Sequence, residues 1–100
     1  MTVREFRDVD SRDLRLPTTR PQGADPAKLW RQIAKRGRSV EGMPPLLVDE
    51  AADGVLVIRD GVTRATRAAK LAPGTPVPVE VVGRYPFPCG AYPTVEEMLP

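Results

Sequence analysis

The stretch Val55–Leu71, V-L-V-I-R-D-G-V-T-R-A-T-R-A-A-K-L, constrains the fold more than any other part of the chain. It reads as an apolar strand, a tight Asp60-Gly61 turn and a short helix. Ala65, Ala68, Ala69 and Leu71 give that helix an apolar side, and small alanines let it approach a sheet closely. The first turn of a helix leaves backbone N–H groups without partners, and its dipole favours negative charge there. Arg64 and Arg67 are three residues apart and therefore share a helix face. Two guanidinium groups beside unpaired amides form a pocket suited to phosphate or another anion.

The rest of the chain supplies what such a unit would pack against. Residues 1–12 alternate weakly through Val3, Phe6 and Val9, which suits an edge strand or a loose arm. Residues 13–16 (D-L-R-L) are a short strand candidate with Leu14 and Leu16 on one face, ended by Pro17 and a P-T-T-R-P-Q-G loop. Asp25-Pro26 then opens a helix over 26–36, with Asp25 as the cap, Pro26 in the first position and Gly37 as the stop. Its apolar stripe is Leu29, Trp30, Ile33 and Ala34, which makes Trp30 a core residue ahead of a stacking platform for a base. Lys28, Arg31 and Lys35 read as a solvated face. Strands follow at 46–49 and 55–59, joined at Ala52-Asp53-Gly54 as an antiparallel hairpin. The second helix, 62–71, stops at Pro73-Gly74. A strand over 77–82 sets Val77, Val79 and Val81 on one side, and Pro78 requires an edge position or an irregular start. From residue 84 to 100 the tail is proline-rich, with Tyr85, Phe87 and Tyr92 between the prolines, as an extended strap would be. Thr94 can cap a final turn, with Glu97 at the capping-box position. The pattern predicts a single domain over 1–100 of the α/β (α+β) class: a small mixed sheet carrying two main helices.

Composition excludes several chemistries. There is no histidine and only one cysteine, Cys89. Histidine-dependent nucleophilic catalysis and a conventional zinc site therefore have no ligands to draw on. No run approaches the roughly 18 apolar residues of a membrane span, and the N-terminus lacks the apolar region of a secretory signal. A cytoplasmic, membrane-free setting is the expectation. The net charge of +2 divides unevenly: residues 1–40 carry ten Lys+Arg against five Asp+Glu, and residues 41–100 carry five against eight. The basic front half suits a polyanionic partner or simply a solvated surface.

The order D-L-R-L-P-x-x-R-P, helix, P-P-L-L-V, hairpin, V-I-R-D-G-x-x-R-A-x-x-A-A-K-L, V-P-V-E-V-V resembles the ParB/sulfiredoxin fold, and the likeness covers residues 8–83. In that family the turn before the helix holds nucleotide phosphates, of CTP in the ParB branch and ATP in the sulfiredoxin branch. Gly61-Val62-Thr63-Arg64 falls where ParB has G-E-R-R and sulfiredoxin has G-C-H-R, so Gly61 and Arg64 match both. Arg20 resembles the arginine of the upstream family motif. Val62 stands where one branch has its glutamate and the other its catalytic cysteine, which implies no sulfinic acid reduction.

The resemblance implies a ParB-like phosphate-recognition domain that binds a nucleotide or nucleic acid. Gly61, Thr63 and Arg64 would form the floor of the site, with Arg67 and Arg20 at its rim and a nucleoside triphosphate with magnesium as a candidate cofactor. Read from the residues alone, Arg67 is first of all a surface arginine. Thr63 either caps the helix or donates to a phosphate. Asp60 is a turn residue, a partner for Arg64, or a base or metal ligand. In the last role it would serve a stand-alone ParB-like nuclease or phosphotransferase. A third reading is a protein-interaction domain that kept the fold and lost the ligand, with Cys89 an uninvolved thiol.

Overall fold

Both helices start and stop where their flanking residues dictate. In the computed structural model, which describes residues 3–100, α1 spans Pro26–Arg36 and α2 spans Val62–Leu71. The Asp25 carboxylate accepts from the Ala27 N–H at 2.8 Å, Pro26 fills the first turn, and Gly37 closes the helix at φ 58°. α2 follows its strand directly, because Gly61 adopts φ 111° and turns the chain in a single residue.

Four strands form one mixed sheet: β1 (Glu5–Asp10), β2 (Leu46–Glu50), β3 (Leu56–Asp60) and β4 (Pro76–Arg84), in the order β1-β4-β2-β3. The β2–β3 hairpin is antiparallel, β4 runs parallel to β2, and β1 closes the other edge antiparallel to β4. The N-terminal segment is thus an edge strand from Glu5 onward; Met1 and Thr2 lie outside the described residues.

The structure corrects one local expectation and decides between the two alternatives of another. Leu14 and Leu16 are both buried as the alternation requires, but the 13–16 segment is no regular strand. Residues 11–13 form a 3-10 turn, and only Arg15 bridges, to Val57 and to Thr94. β4 is an interior strand despite Pro78. Its ladder with β2 begins only at Val79, so Pro76 and Pro78 occupy a start that has β1 alone as a neighbour. There a missing N–H costs the sheet least.

The period-two alternation divides the sheet into two faces. Leu46, Val48, Ile58, Val77 and Val79 project to one side and pack with Ala65, Ala68 and Ala69 of α2. Val57 on the opposite side joins Ala51 and Cys89 in a smaller cluster under the C-terminal strap. The strap is tied down by backbone hydrogen bonds: Tyr85 N–H to Glu50 O at 2.9 Å, Ala52 N–H to Phe87 O at 3.1 Å, and Leu16 N–H to Pro93 O at 2.8 Å. The Thr94 hydroxyl accepts from Glu97 N–H at 3.1 Å and starts a closing 3-10 turn at Glu96–Met98.

Trp30 is not core. It is 62% exposed, and Leu29 is the one fully buried residue of α1. α1 packs chiefly on α2 rather than between two layers, so only a narrow stripe is covered. Trp30 lies about 100° round the helix from Leu29 and faces outward.

Candidate functional site

Gly61 is the structural pivot of the site. A Cβ placed on it would stand 2.5 Å from Leu46 Cδ2 and 3.1 Å from Arg64 Nη2. Its absence lets the backbone turn at positive φ and lets the Arg64 side chain fold back over the turn. No side chain caps α2, and its first turn carries no acidic residue. The helix therefore presents unpaired N–H groups and the positive end of its dipole. Thr63, one of the two roles left open by sequence, is not the cap.

These amides open on a cleft of about 400 Å³. Gly61, Val62, Thr63 and Arg64 form its floor, Asp60 and Arg59 come from the end of β3, and Arg20 and Lys28 reach it from the loop before α1 and from α1 itself. Arg20, Lys28 and Arg64 thus face one carboxylate, Asp60, whose side chain is itself 72% exposed, while Arg59 at the edge is already paired with Asp49. Arg64 Nη1 donates to the Pro44 carbonyl at 2.7 Å, while Nη2 stands 3.9 Å from Asp60 Oδ2. Arg64 is therefore held at the mouth by one strong bond and one loose ion pair. Among the described residues Arg20 and Lys28 form no ion pair.

Arg67 departs from its sequence reading. It is 4% exposed and no surface arginine. Its Nη1 donates to the carbonyls of Gly37 at 3.0 Å and Ser39 at 2.6 Å, pinning the loop after α1 to α2. Burial, with the nearby charge of Arg36, lowers its pKa below the usual arginine value. Arg67 lines a separate depression with Lys35, Arg36 and Met43, which meets the cleft only through Gln32 and Arg64.

Arg59 and Lys28 are the cationic cleft residues that sequence reasoning missed; Lys28 reads as part of a solvated face, yet it lines the cleft. Arg59 lies within the V-I-R-D-G run but receives no role there, at the exposed end of an apolar strand. Position parity is the signal that finds it: Arg59 lies two residues from Val57 and so points to the strap side of the sheet. There it meets Asp49, which is 1% exposed. Arg59 Nε donates to Asp49 Oδ2 at 3.1 Å, Nη2 donates to Oδ1, and the Tyr85 hydroxyl donates to Oδ2 at 3.2 Å. The Asp49 carboxylate raises the Arg59 pKa through this hydrogen bonding. Burial, then the Asp49 charge, pushes the Tyr85 phenol up. A second hollow of about 330 Å³ lies on this side, walled by Tyr85, Phe87 and Tyr92.

Among the described residues no three His, Cys, Asp or Glu side chains group as a metal site, and Asp60 is the one acidic residue lining the cleft. Among the described residues no helix is long and apolar enough to cross a membrane. No protein-family model matches the chain, and no curated protein matches it. Fold and site together describe a mixed α+β protein with a cationic cleft at a helix N-terminus.

Proposed function

We propose that this protein is a phosphate-recognition module whose ligand is a nucleotide or nucleic acid, bound at the strand-Asp60-Gly61-helix turn. One observation carries the reading: the uncapped first turn of α2 opens on a cleft where Arg20, Lys28, Arg59 and Arg64 converge. Helix amides and guanidinium groups recognise phosphate by the same charge-assisted hydrogen bonds. The sequence resemblance to the ParB/sulfiredoxin fold supports the same ligand class. In this arrangement Gly61 and Thr63 offer backbone N–H groups, Arg64 offers a planar fork, and Arg20 and Lys28 supply long-range attraction. Asp60 stands at the mouth, where it would orient Arg64 or a magnesium ion carried by a triphosphate.

The test is calorimetric titration of ATP, CTP and short oligonucleotides, with magnesium, into the parent and two variants. Arg64→Ala removes a hydrogen bond to a charged group, worth about 1.5–3 kcal/mol, and should weaken binding roughly tenfold to hundredfold. Arg31→Ala, on the exposed side of α1 and outside the cleft, should change it little, and less still with added salt. Equal losses in both variants would move the site to the basic helix. Turnover that vanishes in Asp60→Asn would convert the module into a nuclease or phosphotransferase.

A further inference from the structure

The cationic cleft and the aromatic hollow are not independent. Pro17, Thr19 and Arg59 line both. β3 is the edge strand of the sheet, and the two openings meet around that edge, one on the helix side and one on the strap side. Arg59 stands at the junction. Its Nε and Nη2 are committed to Asp49, while Nη1 makes no hydrogen bond among the described residues. The Asp49 carboxylate is buried and its Oδ2 also accepts from the Tyr85 hydroxyl, so the guanidinium is held with one nitrogen free. Tyr85 and Phe87 stack, with ring centroids 5.0 Å apart and planes 11° from parallel, yet Phe87 stays 46% exposed. A stacked pair that leaves one ring open beside a fixed cation offers a surface for a planar, electron-rich group. Thr18 and Thr19 also line the hollow. Each opening falls in the size range of small-ligand sites, about 300–1,000 Å³.

We propose that the hollow is the base subsite of the ligand whose phosphate occupies the cleft, so that the recognised unit is an aromatic base joined to phosphate. The inference rests on the phosphate reading above and adds to it a second, aromatic contact supplied by the strap after β4. Arg59 is then the joint of the site, a positioning residue between base and phosphate. A free nucleotide and a single-stranded nucleic acid share this chemistry, and the choice between them falls to experiment.

Inorganic tripolyphosphate, a nucleoside triphosphate and a short oligothymidylate are titrated into the parent, Phe87→Ala and Phe87→Leu. In the parent, base-containing ligands should bind about five- to hundredfold more tightly than tripolyphosphate, the range of one base–aromatic stack. Both variants should lose that advantage while tripolyphosphate binds unchanged, which also certifies that they fold. A stronger loss for the nucleotide identifies a free nucleotide as the ligand, and a stronger loss for the oligonucleotide identifies a single strand. The proposal is overturned if tripolyphosphate matches the base-containing ligands in the parent, or if the advantage survives in both variants. Failure of tripolyphosphate to bind at all overturns the phosphate reading, and this inference with it.

Discussion

Replacing Gly61 with alanine tests the architecture of the site at its pivot. The residue sits at φ 111°, and its new Cβ would stand 2.5 Å from Leu46 Cδ2 and 3.1 Å from Arg64 Nη2. Two costs arise. An L-residue forced to positive φ loses about 1–2 kcal/mol. Forcing an extra methyl against Leu46, which is fully buried in the main core, costs about 1–3 kcal/mol more. The sum is about 2–5 kcal/mol, a large part of the roughly 5–15 kcal/mol that holds a domain together. For about 100 residues each kcal/mol lowers Tm by roughly 4–8 °C, so a fall of at least about 8 °C is expected. Gly54→Ala is the control. Gly54 has φ 85° with nothing within 4 Å of its Cβ position, so it carries the conformational cost alone, about 1–2 kcal/mol. Thermal and urea unfolding followed by far-UV circular dichroism measure both variants. Equal losses would show that Leu46 and Arg64 do not crowd Gly61. A Tm within about 2 °C of the parent for Gly61→Ala would refute the reasoning entirely.

Arg67→Met keeps most of the bulk but leaves the Gly37 and Ser39 carbonyls without their donor, so urea unfolding should show a loss of about 1–3 kcal/mol; a neutral result would remove the clamp role. Arg7 beside Glu50 and Arg12 beside Asp10 hold both carboxyls below their usual range. Their folded pKa values lie under the unfolded ones, so their stabilisation is complete above the ordinary carboxylate range, near about pH 4, and is lost as pH falls through the folded values. A Tm that stays level or rises on acidification below that range would contradict the assignment. Cys89 is buried, and Asp53 accepts from the N–H groups of Cys89 at 3.1 Å and Gly90 at 2.8 Å. The thiol should resist a disulfide reagent in the native parent and react measurably faster in Asp53→Ala, because the strap loses its anchor on the hairpin turn; equal rates would show that the strap is held elsewhere.

The parts of this structure that are legible in the sequence are those governed by local chemistry. Asp25-Pro26 and Gly37 delimit α1, and Gly61 with Pro73-Gly74 delimits α2, because caps and positive-φ turns act within a few residues. The hairpin and the Val77–Val79–Val81 face follow for the same reason. The tail is half legible: its aromatic and proline alternation indicated a strap, and Thr94 indicated its closing turn. What the strap covers is set by tertiary pairing with Glu50, Ala52 and Leu16, which no local pattern encodes. Trp30 and Arg67 exchange their expected places for a single reason. α1 rests mainly on α2, so the covered side of α1 is narrower than its apolar stripe and excludes the tryptophan. The same close contact walls in an arginine of α2, whose Nη1 then donates to the Gly37 and Ser39 carbonyls of the loop after α1.

That exchange also explains where the free cations lie. α2 carries two arginines on one face, and the fold spends them differently. Arg67, one turn deeper, is enclosed and serves the backbone. Arg64, at the first turn, keeps one nitrogen on Pro44 and leaves the remainder of its fork beside the unpaired amides. Arg59 is drawn to the other side of the sheet by a buried carboxylate that sequence alone does not mark, since Asp49 sits within a strand whose alternation would leave it exposed. Gly83 of β4, the Arg59 guanidinium and Tyr85 of the strap together enclose it. The candidate site is therefore part local motif and part long-range consequence: the turn and Arg64 are written in one segment, Arg59 is set by Asp49 ten residues away across the hairpin, and the aromatic wall joins them because Tyr85 meets Asp49 from 36 positions away. A substitution that frees the strap should leave the turn intact and disable the aromatic side alone, whereas a substitution at Gly61 strikes the turn through Leu46 and Arg64.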